Sequence, residues 1–205
     1  GRGAFPDGHE LCLEMPGMHG NYTATTSIQK SDLLIAIGVR FDDRVTANPS
    51  FFAQNAKVIH ADIDPAEIGK VREAQVPIVG DAKSVILGLI NALGDTKLNT
   101  ENWINELNSM KTEFPLSYNQ NENGPLKVPF VLEELQNLTE EEAIVVSGVG
   151  QHQMWISQHW NFTEPNTWLN SGGLGTMGYS LPAAIGAKTA YPEKLVLALD
   201  GDGCF

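Results

Sequence analysis

Two aspartates alternate with glycine at the end of the chain, where the apolar run of residues 195–199 meets Asp200-Gly201-Asp202-Gly203. A carboxylate at the carboxyl end of a parallel strand lies where open α/β sheets bind ligands. Mg²⁺ prefers hard oxygen ligands, usually shared with phosphate, and glycines let the backbone approach that phosphate. The same residues also fit a simple Asp-Gly turn or an acid that grips a ribose. The pattern alone does not choose among these three interpretations.

A second candidate is the glycine loop of residues 173–178, GLGTMG, which satisfies G-x-G-x-x-G. With Asp200 closing the next strand, it is close to the layout that binds a nicotinamide dinucleotide. However, the strand before the loop is short and polar, and Pro182 interrupts the following helix. A tight strand–helix turn without a ligand is at least as good an interpretation.

Charged residues follow an earlier strand that ends at Gly38. The segment RFDDRVT contains Arg40, Asp42, Asp43 and Arg44, at the edge where a parallel sheet binds ligands. It also fits a solvated loop whose internal salt bridges contribute little. The glycine-containing MPGMHG, residues 15–20, fits either a ligand contact or a plain loop. No metal-ligand spacing is seen among the histidines, so structural roles are expected for His9, His19, His60, His152 and His159.

Composition excludes several classes of protein. The 205 residues carry a formal net charge of −12, so binding to nucleic acid or to an anionic membrane is not expected. Hydrophobic residues make up 42% and charged residues 19%, enough for a folded core. Cys12 and Cys204 do not form a disulfide framework, which fits a reducing cytosol. No apolar run is long enough to span a bilayer.

Alternating strands and helices must position these groups. Apolar runs predict strands at residues 31–38, 56–64 and 76–81, a short helix opening at Pro65, and a helix capped by Asp81. Trp103, Leu107 and Met110 have helical spacing, and residues 117–125 indicate an exposed linker. A second set begins with a helix opening at Pro129, with Val131, Leu135 and Leu138 on one face, followed by a strand at residues 143–150. Apolar strands alternating with helices predict parallel sheets covered by helices.

Seven motifs occur in the order and spacing of one family: MPGMHG, GVRFDDRVT, HADIDPAEIGK, VGDA, GVGQHQMW, SGGLGTMGYSLPAAIGA and GDG. The chain resembles the large, catalytic subunit of the acetohydroxyacid synthase (acetolactate synthase) family over nearly its whole length, except the polar linker. The opening GRGAFPDGHE and the DIDPAEIGK motif are similar to bacterial members, so a bacterial, cytoplasmic protein is expected.

The resemblance implies a thiamine-diphosphate enzyme of α/β fold. Residues 1–94 would belong to a Rossmann-like central FAD-binding domain, 95–124 to a linker with one helix, and 125–205 to the start of the thiamine-diphosphate-binding domain. Such an enzyme decarboxylates pyruvate and joins it to pyruvate or 2-oxobutanoate, in branched-chain amino-acid biosynthesis. Thiamine diphosphate, Mg²⁺ and FAD are the implied cofactors. A homodimer or higher homo-oligomer and a small regulatory subunit are the implied assembly.

The resemblance also implies roles at single positions. Asp202 would bind Mg²⁺, and Arg44 would recognise the carboxylate of the second substrate, with Asp43 beside it. Met177 would force thiamine diphosphate into a bent shape. The other implied thiamine-diphosphate contacts are Val149, Gly150, Gln151, His152, Gly175, Gly203 and Cys204. The implied FAD contacts are Met18, His19, Gly20, Gly38, Val39, Arg40, Asp42, Arg44, Val45, Asp62, Ile63, Gly80, Asp81, Ala82, Gln153, Met154, Gly172 and Gly173.

Three positions depart from the family pattern. Glu14 stands where glycine is usual, Ala47 stands where DDRVT is normally followed by glycine, and Cys204 replaces a serine. A cofactor-activating glutamate is expected upstream and an asparagine pair downstream, so this stretch alone is expected to be inactive. A flavin-containing pyruvate oxidase, a glyoxylate carboligase, a nicotinamide-dependent dehydrogenase and a non-catalytic binding module are the alternatives.

Overall fold

The computed structural model describes residues 2–139 and 143–205. The chain forms two compact units, which we call the first unit (Pro16–Pro115) and the second unit (Gly1–Met15 with Leu116–Phe205). Both are α/β, and the strands that pair are parallel, as the apolar runs predict. Among the described residues, no helix combines the length and apolar character needed to cross a bilayer.

The first unit contains a parallel sheet of order β1-β2-β3 with helices around it. Its strands are β1 (Leu33–Ile37), β2 (Lys57–Asp62) and β3 (Val76–Val79), and its helices are α1 (Tyr22–Lys30), α2 (Asp43–Thr46), α3 (Ala82–Leu93) and α4 (Glu101–Glu113), with a short 3₁₀ helix at Pro49–Phe51. Small and aromatic side chains form its core: Ala36, Phe41, Phe52, Ala53, Ala56 and Val58. His60 is fully buried, and its Nε2 lies 2.7 Å from the Val39 carbonyl oxygen, a structural role as predicted.

Side-chain caps fix where two of these helices begin. Asn21 Oδ1 accepts the Ala24 N–H at 2.7 Å before α1, and Asp81 Oδ1 accepts the Ser84 N–H at 3.1 Å before α3. Each cap satisfies a backbone donor that a helix start leaves without an internal partner. The predicted Asp81 cap is therefore confirmed. The helical spacing of Trp103, Leu107 and Met110 is confirmed as well, because all three lie on α4, where Leu107 and Met110 are buried.

The second unit contains a parallel sheet of order β5-β4-β6. Its strands are β4 (Ile144–Ser147), β5 (Trp168–Asn170) and β6 (Val196–Leu199), and its helices are α5 (Val128–Leu138), α6 (Gln151–His159) and α7 (Ser180–Ala190), with a 3₁₀ helix at Asp202–Cys204. β4 is buried throughout. Val145 packs with Leu132 and Ile156 on one side, whereas Ile144 and Val146 pack with α7 on the other. The sheet is therefore sandwiched between helices, with β4 as its middle strand.

The opening residues pack on the second unit. Asp7 accepts the Phe162 N–H through Oδ2 at 2.7 Å and donates its own N–H to the Phe162 carbonyl at 3.1 Å. Arg2 pairs with the buried Asp7 carboxylate at 2.9 Å. The boundaries of the two compact units therefore differ from those of the predicted domains, 1–94, 95–124 and 125–205. The domain boundaries stay a prediction.

Two predicted elements are wrong in detail. No helix opens at Pro65, because residues 65–69 form turns in which bonds span three residues, such as Glu67 N to Asp64 O at 3.2 Å. On α5 the predicted apolar face is shifted, since Leu138 is 79% exposed while Leu132 and Gln136 are buried. Gln136 lies inside because its side-chain amide forms two hydrogen bonds with the Asn161 backbone. Its Nε2 donates to the Asn161 carbonyl oxygen at 2.9 Å, and its Oε1 accepts the Asn161 N–H at 3.1 Å.

Candidate functional site

The GVG and GDG motifs meet at the carboxyl edge of the second unit's sheet. β4 and β6 are hydrogen-bonded neighbours in which Ser147 pairs with Leu199. The residues that follow the two strands therefore emerge side by side, and Gly148 N donates to Leu199 O at 3.2 Å. This parallel pairing brings together two motifs about fifty residues apart in the sequence.

Asp200 points back into the protein from this edge. A Cβ at Gly148 would lie only 1.7 Å from Asp200 Oδ1, so the carboxylate occupies the space that this glycine leaves. Ser180 donates a short hydrogen bond to Oδ2, and the Gly201 N–H donates to Oδ1 at 3.2 Å. His152 Nε2 lies 3.4 Å from Oδ1. Asp200 thus links the loops. Because both of its carboxylate oxygens contact the protein, the structure does not favour the interpretation in which Asp200 binds a ribose.

Sequence reasoning missed this anchor. The sequence alone points to no role for Ser180 or Gly148, and for Asp200 it suggests a turn residue or a ligand-binding acid, not an internal anchor. The available signal was the glycine directly after β4, since a glycine at the end of a buried strand marks close approach by other atoms.

Asp202 faces the other way. It opens the 3₁₀ helix Asp202–Cys204, its side chain is exposed, and its Oδ1 accepts the Gly203 N–H at 2.9 Å. An exposed carboxylate beside a glycine is a hard oxygen ligand that phosphate can approach. The donor set at Asp202 therefore fits the Mg²⁺ predicted for it.

The N-terminal end of α6 is suited to bind an anion. Gly150 is its N-cap residue, and no side chain of the described residues caps it. The first N–H groups of a helix carry partial positive charge and bind phosphate well. This start holds the predicted diphosphate loop, residues Val149, Gly150, Gln151 and His152.

A third loop follows β5 on the opposite side of β4. Ser171 closes it, accepting the Gly175 N–H through its carbonyl and the Thr176 N–H through Oγ, both at 2.9 Å. Met177 lies against the GDG segment, because a Cβ at Gly203 would be 3.0 Å from Met177 Cε. The predicted Gly175 and Met177 are therefore brought to the same edge as Gly203. The other predicted residues of this unit are Gly172 and Gly173 in the loop, Gln153 and Met154 on α6, and Cys204 after Gly203.

In the first unit, most predicted flavin residues again line the carboxyl edge of a sheet. Gly38 follows β1, and its N–H donates to Ala61 O at 2.8 Å. Asp62 ends β2 and accepts the Gly80 N–H through its carbonyl at 2.9 Å, and Gly80 follows β3. Beside them lie Val39, Ile63, Asp81 and Ala82, of which Ile63 is 75% exposed. The edge is thus an open strip of backbone and short side chains.

The MPGMHG loop touches the RFDDRVT segment within the same unit. Gly17 has φ 98°, and a Cβ there would lie 2.4 Å from the Arg44 carbonyl oxygen. Met18 N donates to that oxygen at 2.8 Å. Only glycine permits this approach without strain. The contact brings the predicted Met18, His19 and Gly20 close to the predicted Val45 and Arg44.

Charges alternate along the RFDDRVT segment. Arg44 Nη1 lies 2.7 Å from Asp43 Oδ1, with side chains 67% and 74% exposed. Arg40 forms an ion pair with Asp42, which also caps α2 by accepting the Arg44 N–H at 2.9 Å. That N–H bond, together with the neighbouring Asp43 side chain and the charge of Arg40, holds the pKa of Asp42 below its ordinary value. Arg44 therefore presents an exposed guanidinium, a group that binds carboxylates through paired hydrogen bonds.

Two family descriptions match the chain. Residues 1–89 match "Thiamine pyrophosphate enzyme, central domain", and residues 148–205 match "Thiamine pyrophosphate enzyme, C-terminal TPP binding domain". The second match covers the GVG, glycine-loop and GDG segments at the edge of the second unit's sheet.

Similar proteins span the whole of the chain. It is 56% identical to the acetolactate synthase of Mycobacterium leprae over 208 residues, covering 100% of this chain and 33% of that protein. The acetolactate synthase large subunit of Corynebacterium glutamicum is 53% identical, over 99% of this chain and 33% of its own length. The chloroplastic acetolactate synthase of Arabidopsis thaliana is 47% identical, over 100% and 31%. The chain thus spans about a third of the length of these relatives.

Proposed function

Because the chain belongs to the acetolactate synthase large-subunit family of thiamine-diphosphate enzymes, we propose that the whole protein is an acetolactate synthase. It would decarboxylate pyruvate and condense the two-carbon unit with a second 2-oxo acid, pyruvate or 2-oxobutanoate. The products would enter the biosynthesis of valine, leucine and isoleucine.

One observation carries this proposal: three loops meet at one sheet edge with the donors that a metal–diphosphate pair needs. The start of α6 offers backbone N–H groups, and Asp202 offers an exposed carboxylate. Glycine at 148 makes room for the Asp200 carboxylate, and glycine at 203 makes room for the Met177 side chain. The start of α6 would hold the diphosphate, and Asp202 would hold Mg²⁺.

Thiamine diphosphate supplies the carbon nucleophile and the electron sink for the decarboxylation. This chain's residues bind and orient. Met177, which packs against Gly203, would support the bent cofactor, with Gly175 beside the aminopyrimidine. Arg44, exposed beside Asp43, would bind the carboxylate of the second 2-oxo acid and hold its carbonyl carbon in position.

FAD would lie along the carboxyl edge of the first unit's sheet, which we propose to be part of a Rossmann-like central domain. The support is the strip of glycines and short loops after β1, β2 and β3, where nucleotides bind in open parallel sheets. The acid-capped start of α2 and the Arg40–Asp42 pair border it. The flavin would have no net redox role.

We extend the proposal to the assembly and its location. The whole protein would form a homodimer or higher homo-oligomer with a small regulatory subunit, in the bacterial cytoplasm. Family membership supports this, and one relative is itself named a large subunit.

The experiment is a product assay on the full-length protein with pyruvate, in the presence and absence of thiamine diphosphate and Mg²⁺. Acetolactate should form only when both are present. Pyruvate loss with oxygen uptake would instead identify a flavin-containing oxidase. Release of the bound flavin by denaturation, followed by its absorption spectrum, would separately test the FAD proposal.

A further inference from the structure

Three side chains of different chemistry, each of a type that can bind a metal ion, lie close together where the loops after β4 and β6 meet. His152, Asp200 and Cys204 each offer one ligand atom, and these atoms all lie within 4.8 Å of one another. None of the three is exposed, and Cys204 is buried. The cluster joins the two loops that follow β4 and β6. We propose that these residues form a binding site for a divalent cation of the Zn²⁺ class, separate from the Mg²⁺ site proposed at Asp202.

The imidazole is held with its Nε2 atom turned into the cluster. Nε2 is buried and has no hydrogen-bond partner among the described residues, although it lies 3.4 Å from Asp200 Oδ1. Glycines surround the ring: a Cβ at Gly150 would lie 3.0 Å from its Cε1, and one at Gly201 would lie 3.3 Å from its Nδ1. A buried nitrogen without a partner costs free energy. A cation would supply the missing partner.

The distances suit tetrahedral coordination. Zn²⁺ binds sulfur at about 2.3 Å and imidazole nitrogen at about 2.0 Å, so its ligand atoms lie roughly 3.3–3.8 Å apart. His152 Nε2 and Asp200 Oδ1 already have such a separation, at 3.4 Å. The sulfur of Cys204 needs a shift of at most about 1 Å to join them. A water molecule would complete four ligands, as in zinc sites with three protein ligands.

The donor set selects the cation. A thiolate and an imidazole suit Zn²⁺ and its neighbours, whereas Mg²⁺ prefers oxygen ligands alone. Cys204 Sγ lies 3.2 Å from the Val149 carbonyl oxygen, so its thiol proton is now shared with that oxygen. On cation binding the thiol would release this proton to solvent, and the sulfur would exchange the Val149 contact for the metal. Asp202 does not belong to the cluster.

The test uses Co²⁺ as a spectroscopic probe on the full-length protein, freed of metals and kept reduced. Cobalt bound to a thiolate gives an intense near-ultraviolet charge-transfer band. We expect this band to appear on titration, to vanish when Zn²⁺ displaces Co²⁺, and to persist in excess Mg²⁺. Cys204→Ser should lose the band, and Cys12→Ser should retain it, because Cys12 is the other cysteine of this chain and lies outside the cluster.

Two controls keep the result interpretable. Serine at 204 matches the residue usual in the family, and circular dichroism verifies that the variant is folded. His152→Gln keeps the thiol, so its affinity for Co²⁺ should fall by at least about tenfold, the effect seen even for residues behind metal ligands. The proposal is overturned if Co²⁺ gives no band, if Cys204→Ser keeps it, or if His152→Gln leaves the affinity unchanged.

Discussion

The carboxylate of Asp200 occupies the space left by the missing side chain of Gly148, and a Cβ there would lie 1.7 Å from Asp200 Oδ1. Ser180 donates a hydrogen bond to the same carboxylate, and His152 Nε2 lies 3.4 Å from it. The two loops that we propose to hold the metal and the diphosphate are thus connected through a carboxylate whose side chain is only 13% exposed. That acid is two residues before the proposed metal ligand.

Gly148→Ala should disturb both stability and cofactor binding, since the new methyl group must displace Asp200. We expect a loss of about 1–3 kcal/mol in the free energy of unfolding, the usual cost of overpacking, and at least about tenfold weaker binding of thiamine diphosphate. Chemical denaturation and a cofactor titration measure the two effects.

Gly186→Ala is the matched control, because Gly186 lies on α7 and a Cβ there meets nothing within 4 Å. Alanine should stabilise that helix by up to about 1 kcal/mol. If both variants bind thiamine diphosphate like the parent protein, the close packing at Gly148 has no bearing on the site.

Ala47→Gly should stabilise the protein. Ala47 follows α2 with φ 50° and ψ −116°, a conformation that suits glycine and strains a residue with a Cβ. Because the side chain is exposed, little packing is lost, and we expect a gain of about 1–2 kcal/mol in the free energy of unfolding. Thermal and chemical denaturation measure it.

Ala92→Gly provides the opposite expectation from the same chemical change. Ala92 is exposed in α3, where glycine should cost about 1 kcal/mol. Equal losses of stability in both variants would show that Ala47 is not strained.

Arg44→Lys should raise the KM for the second 2-oxo acid by about tenfold or more. A lysine keeps the charge but lacks the planar fork that pairs with a carboxylate, and a charged hydrogen bond is worth about 1.5–3 kcal/mol. Steady-state kinetics with pyruvate and 2-oxobutanoate measure the change. Lys70→Ala, which breaks the exposed pair with Glu67 at 2.7 Å, is the control and should leave KM unchanged. If the Arg44→Lys enzyme has the KM of the parent protein, Arg44 does not bind the substrate and is a solvated loop residue.

The free energy of unfolding should fall as the pH drops below about 6.5, the ordinary pKa of histidine, partly because of His159. Burial lowers the pKa of His159, and the carboxylates of Glu133, 3.8 Å away, and Glu14 oppose this only in part. With the folded-state pKa below about 6.5, the unfolded chain binds the proton first. The contribution is therefore complete above about pH 6.5 and is lost as pH falls through the lowered pKa.

His159→Gln should reduce this slope, since glutamine does not titrate. Unfolding free energies of both proteins between about pH 7.5 and pH 5 make the comparison. Identical slopes would contradict the role of His159.

The sequence predicts the strands, their parallel pairing and the grouping of the motif loops at the carboxyl edges of the two sheets, because apolar runs ending in glycine or aspartate are typical of buried parallel strands. It also marks position 47, where the family pattern has glycine and the structure has positive φ; Glu14, at φ 63°, is a second such case. The sequence does not predict the direction in which individual side chains point. Asp200 and Asp202 look alike in DGDG, yet the contacts of Asp200 with Gly148 and Ser180 turn its side chain inward, to 13% exposure, while Asp202 stays exposed. The face of α5 was missed for a similar reason, because a distant backbone at Asn161 draws Gln136 inside.

The central claim is tested most directly by the stoichiometry of the full-length protein's reaction with pyruvate. With thiamine diphosphate and Mg²⁺ present, one CO₂ and one acetolactate should form for every two molecules of pyruvate consumed, without oxygen uptake. Asp202→Asn should reduce this rate by at least about tenfold, because the metal loses a charged ligand. Pyruvate consumption without acetolactate, or acetolactate formation that needs neither thiamine diphosphate nor Mg²⁺, would contradict the proposed function.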